Sequence, residues 1–191
     1  MIYLLNAFSL LLEIAFDVLA TLFVLRLLAE AGRADFRNPV SQFVYRYTNP
    51  VLAPVRRVLP NWRRVNLAAL LACYLVMLVK RVVLFALVGT LPHVAGLLVL
   101  ALADLLDFVL LFYLVLVFGW SLLSMFQVSP YHPVMGLVEA IVDPLLRPLR
   151  GKLVVGMLDF SPAVVMIILL LARILVAAPL FDWGTQLARG F

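Results

Sequence analysis

Asn49-Pro50-Val51-Leu52-Ala53-Pro54-Val55-Arg56 and Asp143-Pro144-Leu145-Leu146-Arg147-Pro148-Leu149-Arg150 are one block written twice. Each opens on a side chain able to cap a helix, follows it with a proline, and repeats the proline four residues on. The match extends upstream: Asn38-Pro39-Val40 answers His132-Pro133-Val134, and Phe43-Val44 answers Leu137-Val138. Three prolines and one arginine recur at a single offset of 94 residues. Self-similarity at a fixed spacing is weighed before any other signal, because missing it misreads the whole fold. Here it predicts an internal duplication, with repeat one over 1–91 and repeat two over 92–191.

The sequence around the blocks is apolar. Runs at 2–31, 66–91, 94–128 and 160–180 each reach the ~20 residues that cross a bilayer core. Of 191 residues, 66% are hydrophobic and 13% charged; a soluble domain carries about 25% charge. Polar surface is too scarce for a water-soluble globule, which excludes a soluble enzyme and a disordered chain. The N-terminal run has no basic lead and is interrupted by Glu13 and Asp17, so it reads as a retained helix rather than a cleaved signal. The third run, 35 residues long, is expected either to begin along the interface or to bend near Gly119. The predicted class is an all-α integral membrane protein: four transmembrane helices in two parallel repeats, each with an amphipathic interfacial connector.

Those connectors, 32–65 and 129–159, hold the blocks. Val40, Phe43, Val44 and Tyr47 fall at i, i+3, i+4, i+7, as do Val134, Leu137, Val138 and Ile141. Asn49-Pro50 and Asp143-Pro144 look like N-cap and first-turn pairs, and Pro54 and Pro148 should bend or shorten the helices they fall in. Each connector is therefore expected to be two short amphipathic helices meeting at the Asn/Asp-Pro corner and lying in the interface; the alternative is an ordinary polar loop. Ten of the 15 basic residues lie in the connectors and none in the 89–93 turn. Positive loops stay in the cytoplasm, so the connectors are expected there, with both termini on the far side.

Ionisable residues inside spans are costly and are functional candidates by default. Glu13, Asp17 and Arg26 fall in the first run, Lys80 and Arg81 in the second, Asp104 and Asp107 in the third, Arg173 in the fourth. Glu13 and Asp107 match at the offset of 94, and Lys80 and Arg173 at 93. At 1.5 Å per residue, Asp17 and Lys80 lie level, about 21 Å from the connector side. The economical expectation is two intramembrane ion pairs, Asp17–Lys80 and Asp107–Arg173. They either lock helix packing or line a path for an ion or proton.

Little else carries chemistry. Cys73 is the single cysteine, expected as a small core residue. His93 and His132 are the two histidines, placed by this topology on opposite faces, so they cannot hold one haem. No metal cluster, phosphate loop or nucleophile–base pair appears; no catalytic residue, cofactor or metal is expected.

The run Asn38-Pro39-Val40-Ser41-Gln42-Phe43-Val44 with Asn49 to Pro60, and the second copy through Asp143 to Arg150 and Asp159-Phe160-Ser161-Pro162, resembles the signature of the YggT (YlmG) family. Asn66-Leu67-Ala68 is a degenerate form of the last block. The resemblance implies a small inner-membrane protein. Bacterial members are linked to osmotic-shock tolerance, potassium uptake and cell division, and plastid relatives to cytochrome b6 assembly and nucleoid distribution. It supplies no catalytic residues.

Two functions are carried forward. One is a non-enzymatic scaffold or assembly factor whose connectors meet anionic headgroups or a membrane-protein partner through Arg56, Arg57, Arg147 and Arg150. The other is a potassium or proton transporter or channel component acting as a homo-oligomer. A nucleic-acid partner is not expected.

Overall fold

In the computed structural model, residues 2–63, 65–90, 92–126, 132–155 and 158–190 are described. Arg64 of the basic first connector and Leu91 of the 89–93 turn lie outside them. Four helices are long and apolar enough to cross a membrane. They are α1 (Ile2–Ala31), α3 (Leu67–Val88), α4 (Val94–Met125) and the composite of α6 (Ser161–Ala172), a π-helical turn (Arg173–Ala177) and α7 (Ala178–Arg189). Between them lie α2 (Pro39–Arg56), α5 (Pro133–Leu146) and a two-strand hairpin, β1 (Val154–Val155) with β2 (Leu158–Asp159). The class is all-α apart from that hairpin.

The spans stand in a row, α1 against α3, α3 against α4, and α4 against the composite helix. Small residues allow the approach: Ala20, Ala68, Ala69, Ala72, Cys73 and Ala101 are all buried in one cluster with Phe23, Leu52 and Met77. At the turn end, a Cβ on Gly96 would stand 2.2 Å from the Ala188 backbone nitrogen, so only glycine lets α4 and α7 touch there. The same contact carries a hydrogen bond from His93 N–H to the Ala188 carbonyl.

Several expectations need correction. Neither connector breaks at its Asn/Asp-Pro corner: α2 runs unbroken through Asn49, Pro50 and Pro54, and α5 through Asp143 and Pro144. The caps lie upstream instead. Asn38 Oδ1 accepts from Val40 N–H at 2.9 Å, and His132 Nδ1 accepts from Val134 N–H at 3.3 Å, each ahead of a first-turn proline. Once a helix starts at Pro39, an interior proline removes one backbone bond, and Pro50 and Pro54 both face outward, where no packed neighbour is disturbed. Pro148 does shorten its helix, which ends at Leu146. The stripe of Val40, Phe43, Val44 and Tyr47 is divided between two environments. Ser41, Val44, Thr48 and Leu52 pack inward, while Phe43 and Tyr47 are exposed. Helix α4 is unbroken through Gly119. The fourth span continues to Arg189, past the expected end at 180.

The π-turn has a local cause. Pro179 has no N–H to give the Leu175 carbonyl, and its ring crowds that group. The helix widens by one residue, and Ala178 N–H bonds instead to the Arg173 carbonyl. Before α3, Trp62 and Val65 form an isolated antiparallel bridge; 93 residues later Val155 and Leu158 pair likewise before α6.

Candidate functional site

Charges inside the row are joined helix to helix. Lys80 Nζ donates to Asp17 Oδ1 at 2.7 Å, linking α3 to α1. Arg81 turns the other way and grips Asp104 of α4 with both Nε and Nη2. Three residues on, Asp107 receives Arg173 Nε at 2.7 Å and Nη2 at 2.9 Å. Adjacent bases on α3, about 100° apart, thus reach opposite neighbours, while the i, i+3 acids share one side of α4 and are met by Arg81 from one neighbour and Arg173 from the other. Sequence reasoning anticipated the first pair from depth and the third from matching an acid with a base in each half of the chain. It missed Arg81–Asp104, although one signal was present: the two residues sit at similar distances from the 89–93 turn. Glu13, which lies 94 residues before Asp107, has no ion-pair partner among the described residues.

At the connector end a second cluster forms. Arg26, in the last turns of α1, keeps 2% of its exposure. Its Nη2 meets Glu30 Oε1 at 2.5 Å, and Arg56 Nη2 reaches the same oxygen at 2.6 Å. The Arg26 guanidinium lies over the Tyr45 ring, 4.1 Å from its centroid, and 5.3 Å from that of Phe36, a favourable cation–π arrangement. A cavity of about 590 Å³ opens beside it, lined also by Arg33, Arg56, Asn61 and Arg63. Arg33 and Arg63 hold φ of 57° and 52°, a left-handed backbone that L side chains rarely adopt.

The remaining connector bases sit differently. Arg57, Arg147 and Arg150 are exposed. Arg150 Nη1 lies 3.1 Å from Asp143 Oδ1, and its guanidinium sits over Trp120. Arg56 and Arg150, which occupy equivalent places in the two blocks, are therefore each turned to an acid. Asp159 ends the second connector with its Oδ1 accepting from Ser161 N–H at 2.8 Å. Ser161, through its hydroxyl and then its backbone N–H, holds the Asp159 carboxyl below the usual range.

Histidines 93 and 132 stand beyond opposite ends of α4, separated by a helix about 48 Å long. Cys73 is fully buried. Among the described residues, no group of three His, Cys, Asp or Glu side chains could hold a metal ion.

Four membrane-length helices in a charge-linked row, with basic connectors at one end, define a multi-pass α-helical membrane protein. The chain belongs to the CCB3/YggT family, whose model matches residues 5–87 and again 99–180. It is 33% identical over 192 residues to the uncharacterized protein YggT of Escherichia coli K12, covering 97% of each chain. An uncharacterized protein of Haemophilus influenzae is 34% identical over 152 residues, covering 79% of this chain and 81% of its own. One from Pseudomonas aeruginosa is 33% identical over 161 residues, covering 80% and 79%. No solved structure matches.

Proposed function

We propose that the protein is a non-enzymatic scaffold or assembly factor of the bacterial inner membrane, with both connectors in the cytoplasm and both termini in the periplasm. The observation that carries this reading is the surface of α2. At 100° per residue, its exposed side divides into two sectors. Phe43, Tyr47, Pro50, Val51 and Pro54 make an apolar strip, with Phe43, Tyr47 and Val51 exposed by 54%, 60% and 49%. Arg46, Arg57 and Gln42 form the adjoining polar sector. Aromatic and aliphatic groups beside arginines suit a helix lying at a headgroup boundary, where each base contributes about 1 kcal/mol against anionic lipid. The duplication reading is supported by the two family matches, which begin 94 residues apart.

The test replaces exposed bases that make no ion pair among the described residues. Arg57→Glu with Arg147→Glu should insert normally and reach wild-type abundance, yet fail to restore osmotic-shock tolerance to a strain lacking the protein. Full tolerance at wild-type abundance would remove the connectors from the function.

A second reading, cation transport by a homo-oligomer, draws on Glu13. This carboxyl is half-buried within a span whose first two-thirds is largely exposed, where a second copy could cover it. Potassium or proton flux into proteoliposomes, abolished by Glu13→Gln, is what that reading requires.

A further inference from the structure

We infer that the cavity between the end of α1, α2 and the 59–63 segment is a binding site for a phosphate group, carried either by an anionic lipid headgroup or by free phosphate. Four arginines line it, Arg26, Arg33, Arg56 and Arg63, against one carboxylate, Glu30. Glu30 is already spent, with one oxygen shared between Arg26 and Arg56. The unmatched charge falls on nitrogens that lack partners: Arg26 Nε and Nη1 and Arg56 Nε are buried and make no hydrogen bond. Buried guanidinium groups left in that state are costly unless an acceptor completes them. The ring faces of Tyr45 and Phe36 fix the Arg26 plane, and a planar fork so held matches phosphate oxygens two at a time.

A cavity of about 590 Å³ is within the range of small-ligand sites and holds a phosphate with part of a glycerol unit. It opens at the connector end of the row, at headgroup depth if the four spans cross the bilayer. The site stands apart from the scaffold reading. It uses other residues of α2 than the apolar strip, and a scaffold with a purely protein partner leaves it intact.

Native mass spectrometry of the detergent-solubilised full chain, with phosphatidylglycerol or phosphatidylcholine added, reads lipid retention. Calorimetric titration with inorganic phosphate reads the free ion. The wild type should retain phosphatidylglycerol over phosphatidylcholine, or bind phosphate, and the arm that responds names the source. Arg33→Gln with Arg63→Gln, both exposed and outside the buried core, should weaken that binding at least tenfold, since each charged hydrogen bond lost is worth about tenfold or more. Lys152→Gln with Arg189→Gln removes equal charge elsewhere and should change it less than threefold. Arg26→Lys keeps the charge but loses the fork and should weaken binding if folded, as monitored by thermal unfolding. Equal loss in the two double variants, or no binding in either arm, would overturn the site.

Discussion

Arg81 Nη2 lies 2.7 Å from Asp104 Oδ1, joining α3 to α4 midway along a row of four spans. Its chain neighbour Lys80 reaches α1 and Asp107 reaches Arg173, so every adjacent pair of spans shares one ion pair. In a bilayer the hydrophobic effect does not drive helices together, and these pairs together with small-residue contacts specify which helix meets which.

Asp104 keeps only 10% of its side-chain exposure. Asp104→Ala strands Arg81 and should cost about 3–5 kcal/mol. Replacing both partners, Arg81→Met with Asp104→Leu, should recover most of that loss. Unfolding of detergent-solubilised variants measures both; a double variant as unstable as the two single losses added together would mean that the pair is not coupled.

Lys80→Ala should likewise cost a few kcal/mol, tempered because Asp17 keeps 40% of its exposure. Glu13 lies one turn from Asp17 on the same face. Asp17→Ala should therefore be the milder change, with Glu13 inheriting Lys80. A cycle that includes Glu13→Gln reads this directly: the loss from Asp17→Ala should grow when Glu13 is also replaced.

Two glycines of α4 should respond oppositely. Gly96→Ala drives a methyl into the Ala188 backbone and should cost about 1–3 kcal/mol. Gly119 has nothing within 4 Å of an added Cβ, so Gly119→Ala should be neutral or stabilise by about 0.5–1 kcal/mol. Thermal unfolding in one detergent compares them.

Ser161 lowers the Asp159 pKa, so the carboxylate is the form that the fold favours. Its contribution is complete above the ordinary carboxyl value of about 4 and fades as pH falls through the lowered folded value. The group is exposed, so the effect is small. Asp159→Asn should be slightly less stable than wild type at neutral pH, and the gap should close below about pH 4. A gap that widens in acid would reverse the assignment.

Much of this molecule was legible in its sequence. The spans follow from apolar length, Asp17–Lys80 from depth at 1.5 Å per residue, and Asp107–Arg173 from the acid and base matched between the two halves of the chain. The connector helices were misread because Asn49 and Asp143 satisfy a local capping rule, yet a helix already running from Asn38 or His132 outweighs it. Val44 packs inward while Phe43 and Tyr47 stay exposed, a division that periodicity leaves open because it finds an apolar stripe without saying whether protein or lipid covers it. In the Arg26–Glu30–Arg56 cluster the first two stand at i, i+4, but Arg56 reaches Glu30 from 26 residues away through the turn into α2, and no spacing rule links it to them. The Arg173 π-turn was signalled only by Pro179.

The placement of α2 is the hinge of the functional account. Spin labels introduced singly at residues 42 to 54, in anionic-lipid nanodiscs on a Cys73→Ala background, report collision with oxygen from the lipid side and with a water-soluble nickel chelate. The account predicts a helical period with oxygen maxima at Phe43, Tyr47 and Val51 and nickel maxima at Gln42 and Arg46. Nickel access at Phe43 and Tyr47 equal to that at Arg46 would contradict it, leaving α2 in water and the connectors without a membrane to read.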